Sequence, residues 1–138
     1  DPPMDSLNPT LNAWAPRMLS VLRIVAALVL LQHGIIKLFG FPAGAMPGQV
    51  PFMSMYFFAG VIEVVTGILL ILGLFTRPAA FLLAGTMAAA YFIGHHPRNI
   101  LPSLNGGNLA IMYCFTFLYI FFAGPGPWSI DAQRSSNP

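Results

Sequence analysis

Charge is what this chain has least of. Its 138 residues include six Lys or Arg and four Asp or Glu, so only 7% are charged, against 57% that are hydrophobic. A soluble domain usually carries about 25% charged residues. A chain this apolar has too little polar surface to cover itself in water, so the composition predicts a membrane protein. The net charge of +2 is too small, and its basic residues too scattered, for a nucleic-acid-binding protein.

Cysteine is nearly absent as well, since Cys114 is the single one. One cysteine excludes an intrachain disulfide and a cysteine-based metal cluster. It lies within an apolar run, where we expect it to behave as a small buried hydrophobic side chain.

Four apolar segments come close to the length needed to cross a bilayer. They cover roughly residues 17–39, 52–75, 78–95 and 108–123. A helix needs about 20 apolar residues to cross ~30 Å of hydrocarbon. Only helices or closed barrels cross lipid, and the alternation typical of barrel strands is absent. The sequence therefore predicts an all-α fold, an integral membrane four-helix bundle, with residues 1–138 forming one transmembrane domain.

The basic residues beside the spans predict the orientation of the bundle. If both termini are cytoplasmic, Arg17, Arg77 and Arg134 lie on the cytoplasmic side, and Lys37 and Arg98 lie on the other. Cytoplasmic ends of membrane proteins carry an excess of Lys and Arg. We therefore expect cytoplasmic termini.

Glu63 is the one acidic residue inside a span, near the middle of the second. A bare carboxylate at that depth costs roughly 2.5–3.5 kcal/mol on insertion scales, so it should be protonated, paired or in contact with water. Arg23 and Lys37 share a stripe of the first span, and either one can hold the carboxylate. Arg23 is the favoured partner, because a lysine at the far end of the span must bend inward against its tendency to snorkel. Gly60 and Gly67 leave room beside Glu63 for close helix approach.

The predicted buried polar pair, Arg23 and Glu63, has two interpretations. Buried ion pairs are often neutral for stability and can serve only to set the register of two helices. Ionisable groups inside a membrane also mark sites for a ligand or a proton. Both interpretations remain open.

A second group of polar residues gathers at the opposite ends of the spans. We predict a polar collar that caps a ligand pocket, formed by His33, Lys37, His95, His96 and Asn108. The alternative is that these residues only contact lipid headgroups. A metal site is disfavoured, because no carboxylate accompanies the histidines and the two adjacent ones point about 100° apart on a helix.

Three stretches of the sequence resemble the DoxX family: "HGIIKLFGF" (33–41), "EVVTGILLILGLFTRPAA" (63–80) and "GPGPWSID" (124–131). The resemblance runs from about Arg17 to Asp131. It implies a four-helix protein of the bacterial or archaeal inner membrane. The family's founding member is a subunit of an archaeal terminal quinol oxidase, and relatives belong to a thiosulfate:quinone oxidoreductase or to oxidative-stress complexes.

Position by position, the resemblance assigns the arginine of the first helix to Arg23, the lysine of its G-x-x-K motif to Lys37 and the acid of the second helix to Glu63. The turn arginine is Arg77, and the histidine after the third helix is His95 or His96. One departure is "GGN" before the last span, where many relatives have "GGE". Asn108 thus removes a charge from the collar.

Two functions are compatible with the resemblance. The first is a small accessory subunit or assembly partner of a membrane redox complex, with other membrane subunits as partners. The second is a quinone- or quinol-binding component with its own site, in which His33, Lys37 and Asn108 supply hydrogen bonds. The chain carries no haem, flavin or metal motif, so we expect no tightly bound cofactor and keep quinone as the candidate ligand. Whether the chain is an enzyme stays open.

Overall fold

A computed structural model describes residues 8–136, all of whose regular elements are helical. The long helices are α1 (Asn8–Phe39), α2 (Met55–Leu72), α3 (Thr76–Ala90) and α5 (Asn108–Ala123); the short ones are α4 (Pro102–Asn105) and α6 (Ile130–Ser136). A π-helical turn, Tyr91–His95, and a 3-10 turn, His96–Arg98, continue α3. The prediction of an all-α, four-helix membrane bundle is confirmed. By length and composition, α1, α2 and residues 76–98 can cross a membrane, and α5 is a shorter apolar helix.

The helix ends follow local signals, with one exception. α2 begins after Ser54, whose hydroxyl accepts a hydrogen bond from Phe57 N, and it ends at Gly73, which has a φ of 68°. The exception is the start of α1. The first span is predicted from about residue 17, but α1 begins at Asn8 and carries Pro16 inside it. A proline removes one helical hydrogen bond, and the surrounding turns tolerate that loss here.

α1 and α2 pack closely because glycines face each other where they cross. A Cβ on Gly34 would lie 2.8 Å from a Val64 methyl and 3.0 Å from the Gly60 carbonyl oxygen. A Cβ on Gly60 would lie 3.1 Å from Lys37 Cβ. Small residues of this kind let two helix backbones approach in a membrane. The structure thus shows the close approach that Gly60 predicts.

The apolar core lies where α3 packs along α5 and both meet the first two helices. α3 contributes mainly small residues and α5 contributes large ones, so the two surfaces interdigitate. The buried side chains of the core include Ala27, Leu30, Leu70, Ala79, Ala80, Leu83, Ala84, Met87, Tyr113, Phe117 and Ile120.

At one end of the bundle, α2 and α5 end, α3 begins and α6 docks; we call it the terminal end. The last carbonyls of a helix lack partners within the helix and attract cations. Arg23 on α1 is fully buried at this end of the bundle, and its guanidinium donates hydrogen bonds to three backbone carbonyls. Its Nε donates to the Leu70 carbonyl at 2.8 Å, its Nη2 to the Trp128 carbonyl at 2.7 Å and its Nη1 to the Pro125 carbonyl.

Two neighbours complete this arrangement, which we call the Arg23 clamp. Ser20 Oγ donates to the Pro125 carbonyl and accepts from Trp128 N. Arg77 Nη1 donates to the carbonyls of Phe121 and Phe122 in the last turn of α5. The segment after α5 is therefore bound to α1 and to the end of α2.

Phe75 is the residue before α3. It has a φ of 50°, and its side chain cannot cap the helix. Asp131 in α6 supplies the cap from a distance. Its two carboxylate oxygens accept from Phe75 N at 3.0 Å and Thr76 N at 2.9 Å, while its own N–H donates to the Gly73 carbonyl. An anion at a helix N-terminus is stabilised by the helix dipole. Asp131 thus fastens α6 to the turn between α2 and α3.

These contacts make the docking of α6 pH-dependent. Burial alone would raise the pKa of Asp131, but hydrogen bonds from Thr76 and Phe75 and the charge of Arg134 outweigh it, and the pKa lies below its usual value. A carboxyl group whose pKa is depressed by folding adds stability above its unfolded pKa, and that stability is lost as the pH falls through the folded pKa.

We therefore expect Asp131→Asn to destabilise the protein at neutral pH and to differ progressively less from the wild type as the pH drops below the usual aspartate range. Thermal unfolding of both proteins in detergent, as a function of pH, measures this difference. A difference that stays constant with pH would show that the charge of Asp131 contributes nothing.

Candidate functional site

Lys37 and Glu63 form an ion pair inside the bundle. Lys37 Nζ lies 2.6 Å from Glu63 Oε1, and the glutamate side chain is only 1% exposed. The helix crossing explains the geometry, because Gly60 lets Lys37 approach α2 one turn before Glu63. The lysine stem then extends along α2 to the carboxylate. A pair with one charged hydrogen bond in an apolar setting is held firmly, because either charge alone would be costly there.

The favoured pairing of Arg23 with Glu63 is wrong, and the alternative partner, Lys37, is the one that contacts the carboxylate. Arg23 is buried and faces α2, but it donates to the Leu70 carbonyl. Leu70 lies seven residues, or about 10 Å, beyond Glu63 along the helix. The stripe on α1 indicated the correct face. The depth was wrong because the glycine crossing, rather than the ends of the apolar segments, sets the register of α1 against α2.

Tyr113 and His33 join this pair to form what we call the polar cluster: His33, Lys37, Glu63 and Tyr113. Tyr113 is buried on α5, and the His33 ring meets its ring edge-on, with centroids 6.2 Å apart. Three helices, α1, α2 and α5, thus contribute polar side chains to the interior of an apolar bundle.

Two atoms of the polar cluster are buried without a hydrogen-bond partner among the described residues: Glu63 Oε2 and Tyr113 Oη. A buried donor or acceptor left unsatisfied costs about 1–3 kcal/mol, and more when it is charged. Most buried polar groups in proteins are satisfied, so two such atoms inside one apolar bundle call for an explanation. One explanation is that these atoms belong to a binding site, whose ligand supplies both missing hydrogen bonds.

The contacts of the predicted collar divide it in two. His33 and Lys37 belong to the polar cluster. His95 instead lies 3.0 Å, through Nδ1, from the Asn105 carbonyl, while His96 packs against Tyr91 and Phe92. The side chains of His96 and Asn108 are exposed. His95 therefore helps to shape the loop that precedes α5, and the role of His95, His96 and Asn108 as ligand contacts stays a prediction.

Sequence reasoning missed two buried polar residues, Tyr113 and Asn105. Tyr113 could have been found, because its spacing from Ala110, Phe117 and Ile120 puts its hydroxyl on the buried face of α5. Asn105 gives no such signal. Its side chain donates to the Asn99 carbonyl and accepts from Gly107 N, contacts that exist only once the loop has folded.

The described part of the chain, residues 8–136, contains no group of three His, Cys, Asp or Glu side chains that could hold a metal ion. The histidines are instead engaged as described above, with aromatic rings and a carbonyl group. The chemistry that the polar cluster offers is therefore hydrogen bonding and proton exchange, from a carboxylate, a phenol, an imidazole and an ammonium group.

A double-mutant cycle tests the pairing. We expect Lys37→Met and Glu63→Gln each to destabilise the bundle by ~3–5 kcal/mol, because each strands a buried partner. The double mutant should lose much less than the sum. Arg23→Gln is the control: its effect should add to that of Glu63→Gln within about 0.5 kcal/mol. Each effect is measured as the change in the free energy of unfolding in detergent. Additive effects for Lys37 and Glu63, or strong coupling of Arg23 to Glu63, would refute the pairing.

Comparison with known proteins supports the architecture. The DoxX family model matches residues 18–96. An uncharacterized protein of Haemophilus influenzae is 44% identical over 125 residues, covering 88% of this chain and 93% of the relative. Inner membrane protein YphA of Escherichia coli is 29% identical over 132 residues, covering 88% and 94%. An uncharacterized membrane protein of Mycobacterium tuberculosis, Rv3486, is 31% identical over 153 residues, covering 92% and 87%.

No solved structure matches the chain. The family match covers more than half of the sequence and includes Arg23, Lys37 and Glu63. Together with the four-helix membrane fold, it shows that this chain belongs to the DoxX family.

Proposed function

We propose that this protein is a small component of a quinone-linked redox system in the bacterial inner membrane, and that its polar cluster binds the head of a quinone or quinol. The observation that carries the proposal is the pair of unpartnered buried atoms, Glu63 Oε2 and Tyr113 Oη. The helices themselves contact the lipid bilayer. An inner-membrane relative in E. coli supports the location, and cytoplasmic termini remain part of the proposal.

The chemistry of the two atoms suits both forms of such a ligand. The Tyr113 hydroxyl can donate a hydrogen bond to a quinone carbonyl. The Glu63 carboxylate can accept one from a quinol hydroxyl. Lys37 keeps the carboxylate compensated and oriented through its own hydrogen bond at 2.6 Å. An apolar site with a few well-placed polar groups is the usual form of a small-molecule site.

The seam between α1 and α5 is the proposed route from lipid to the polar cluster. α1 packs mainly along α2, and α3 mainly along α5, so α1 and α5 touch over a shorter stretch. His33 and Tyr113 face each other across this seam, and His33 is half-buried. A head group that separates the two rings would come within reach of Glu63.

A second candidate is an accessory role in a membrane redox complex, with helices of other subunits as partners. The observation that favours it is a stripe of large exposed side chains on α5: Met112, Phe115, Tyr119 and Phe122. Their spacing of three and four residues is that of a helix-packing seam. The stripe can hold the protein in a complex while the polar cluster binds quinone, so the two roles are compatible.

Copurification tests the quinone proposal. The wild-type protein is isolated from its native membrane in mild detergent, and bound quinone is extracted and quantified per chain. We expect Tyr113→Phe to lower the bound fraction roughly tenfold, the equivalent of one lost hydrogen bond of about 1.4 kcal/mol. The matched control is Tyr119→Phe, which removes the same hydroxyl from an exposed position on the same helix.

The outcomes separate the candidates. Quinone bound equally by the two tyrosine variants, or absent from the wild type, would overturn the site. A wild-type protein that elutes without quinone but within a larger assembly containing cytochromes would support the accessory role alone.

A further inference from the structure

The end of the bundle opposite the terminal end, which we call the loop end, exposes large apolar side chains on two separate loops. Residues 40–54 join α1 to α2, and residues 99–107 lead into α5. Five side chains at the tips of these loops are 67–82% exposed: Phe41, Met46, Phe52, Ile100 and Leu104. We call this set the apolar rim. Surfaces of this kind mark sites of interaction with a membrane or a partner.

The longer loop, residues 40–54, carries no charged residue. Between Lys37 and Glu63 there is no Asp, Glu, Lys or Arg. Lys37 itself is bound to Glu63 and turned into the bundle. Beside the shorter loop the nearest charged residue is Arg98. A loop that projects into water would ordinarily carry polar residues, so the composition is typical of a segment in contact with lipid.

Part of the backbone of the longer loop needs no water to satisfy its polar groups. Three of its residues are prolines, which have no N–H to satisfy. Other groups are bonded within the protein: Gly40 N donates to the Ile36 carbonyl, Val50 N to the Lys37 carbonyl, and Gln49 Nε2 to the Leu38 carbonyl. Other N–H groups of the loop, such as those of Phe41 and Met46, donate to no backbone group of the described residues, so the loop suits the hydrated headgroup boundary rather than the hydrocarbon interior.

The lengths of α2 and α5 also favour contact between the loop end and lipid. α2 has 18 residues and α5 has 16, or about 27 Å and 24 Å, against ~30 Å of hydrocarbon. The charged residues of the terminal end and Trp14, over whose ring the Arg17 guanidinium lies at 4.9 Å, are of the types that hold a membrane protein at the water interface. With that end at the interface, the missing thickness lies at the loop end.

We propose that residues 40–54 and 99–107 are embedded in the bilayer at the boundary between headgroups and acyl chains, with the apolar rim in contact with lipid. Lipid is the occupant because the rim is continuous with the lipid-facing surface of the helices and lacks the charges that would pair with a partner protein. This assignment is independent of whether the polar cluster binds quinone.

Tryptophan fluorescence in vesicles tests whether the apolar rim is in contact with lipid. Trp14 and Trp128 are replaced by Phe, and a single Trp is introduced as Met46→Trp or Ile100→Trp; both sites are exposed, so packing is preserved. The purified chain is reconstituted into phosphatidylcholine vesicles with or without acyl-chain bromines. We expect blue-shifted emission, strong quenching by the bromines and weak quenching by aqueous acrylamide. The control is Ser135→Trp, an exposed position on α6, which should show the reverse.

Acrylamide quenching at the rim as strong as at the control position would place the loops in water and overturn the proposal. Quenching by neither reagent would overturn it too, because the rim would then be covered by a second copy of the chain. Circular dichroism of each variant confirms that the helices are intact, so a misfolded variant cannot imitate either result.

Discussion

The fold depends on one buried guanidinium. Arg23 donates hydrogen bonds to backbone carbonyls from the end of α2 and from the segment after α5, and so ties three parts of the chain together. The Leu70 carbonyl lies in the last turn of α2, where the helix dipole favours a cation, and the Pro125 and Trp128 carbonyls lie in the irregular segment between α5 and α6. The planar fork of arginine can serve several acceptors at once, which a lysine ammonium cannot do with the same geometry. Asp131 completes the arrangement with an anion at the start of α3.

The clamp has a consequence for the candidate site. Because Arg23 is committed to carbonyl groups at the terminal end, Glu63 is compensated from the other direction by Lys37. The glycine crossing of α1 and α2 brings this lysine into the bundle. One carboxylate oxygen is used by Lys37, and the second, like the Tyr113 hydroxyl, is buried without a partner among the described residues. The result is a stable charge pair that retains hydrogen-bonding capacity, which is the property that a site for a polar ligand requires.

Much of the fold could be predicted from the sequence, because apolar length, glycine spacing and the scarcity of charge act locally. The fourth span, 108–123, coincides with α5, and Gly60 indicated the closely packed face of α2. The sequence could not decide between Arg23 and Lys37 as the partner of Glu63, since a stripe on a helix specifies a face but not a depth. The cap that Asp131 gives to α3 spans more than 50 residues, and no local pattern encodes it. The buried position of Tyr113 could be predicted from its spacing along α5, but within an aromatic run nothing marks its hydroxyl as a functional group.

The most direct test of this account is the unfolding free energy of Arg23→Lys in detergent, with Arg17→Lys, an exposed change on the same helix, as the control. Lysine keeps the charge but loses most of the charged hydrogen bonds, each of which contributes ~1.5–3 kcal/mol. The account predicts that Arg23→Lys loses about 3 kcal/mol while Arg17→Lys remains close to the wild type. An Arg23→Lys protein as stable as the wild type would contradict the claim that the clamp holds the fold together.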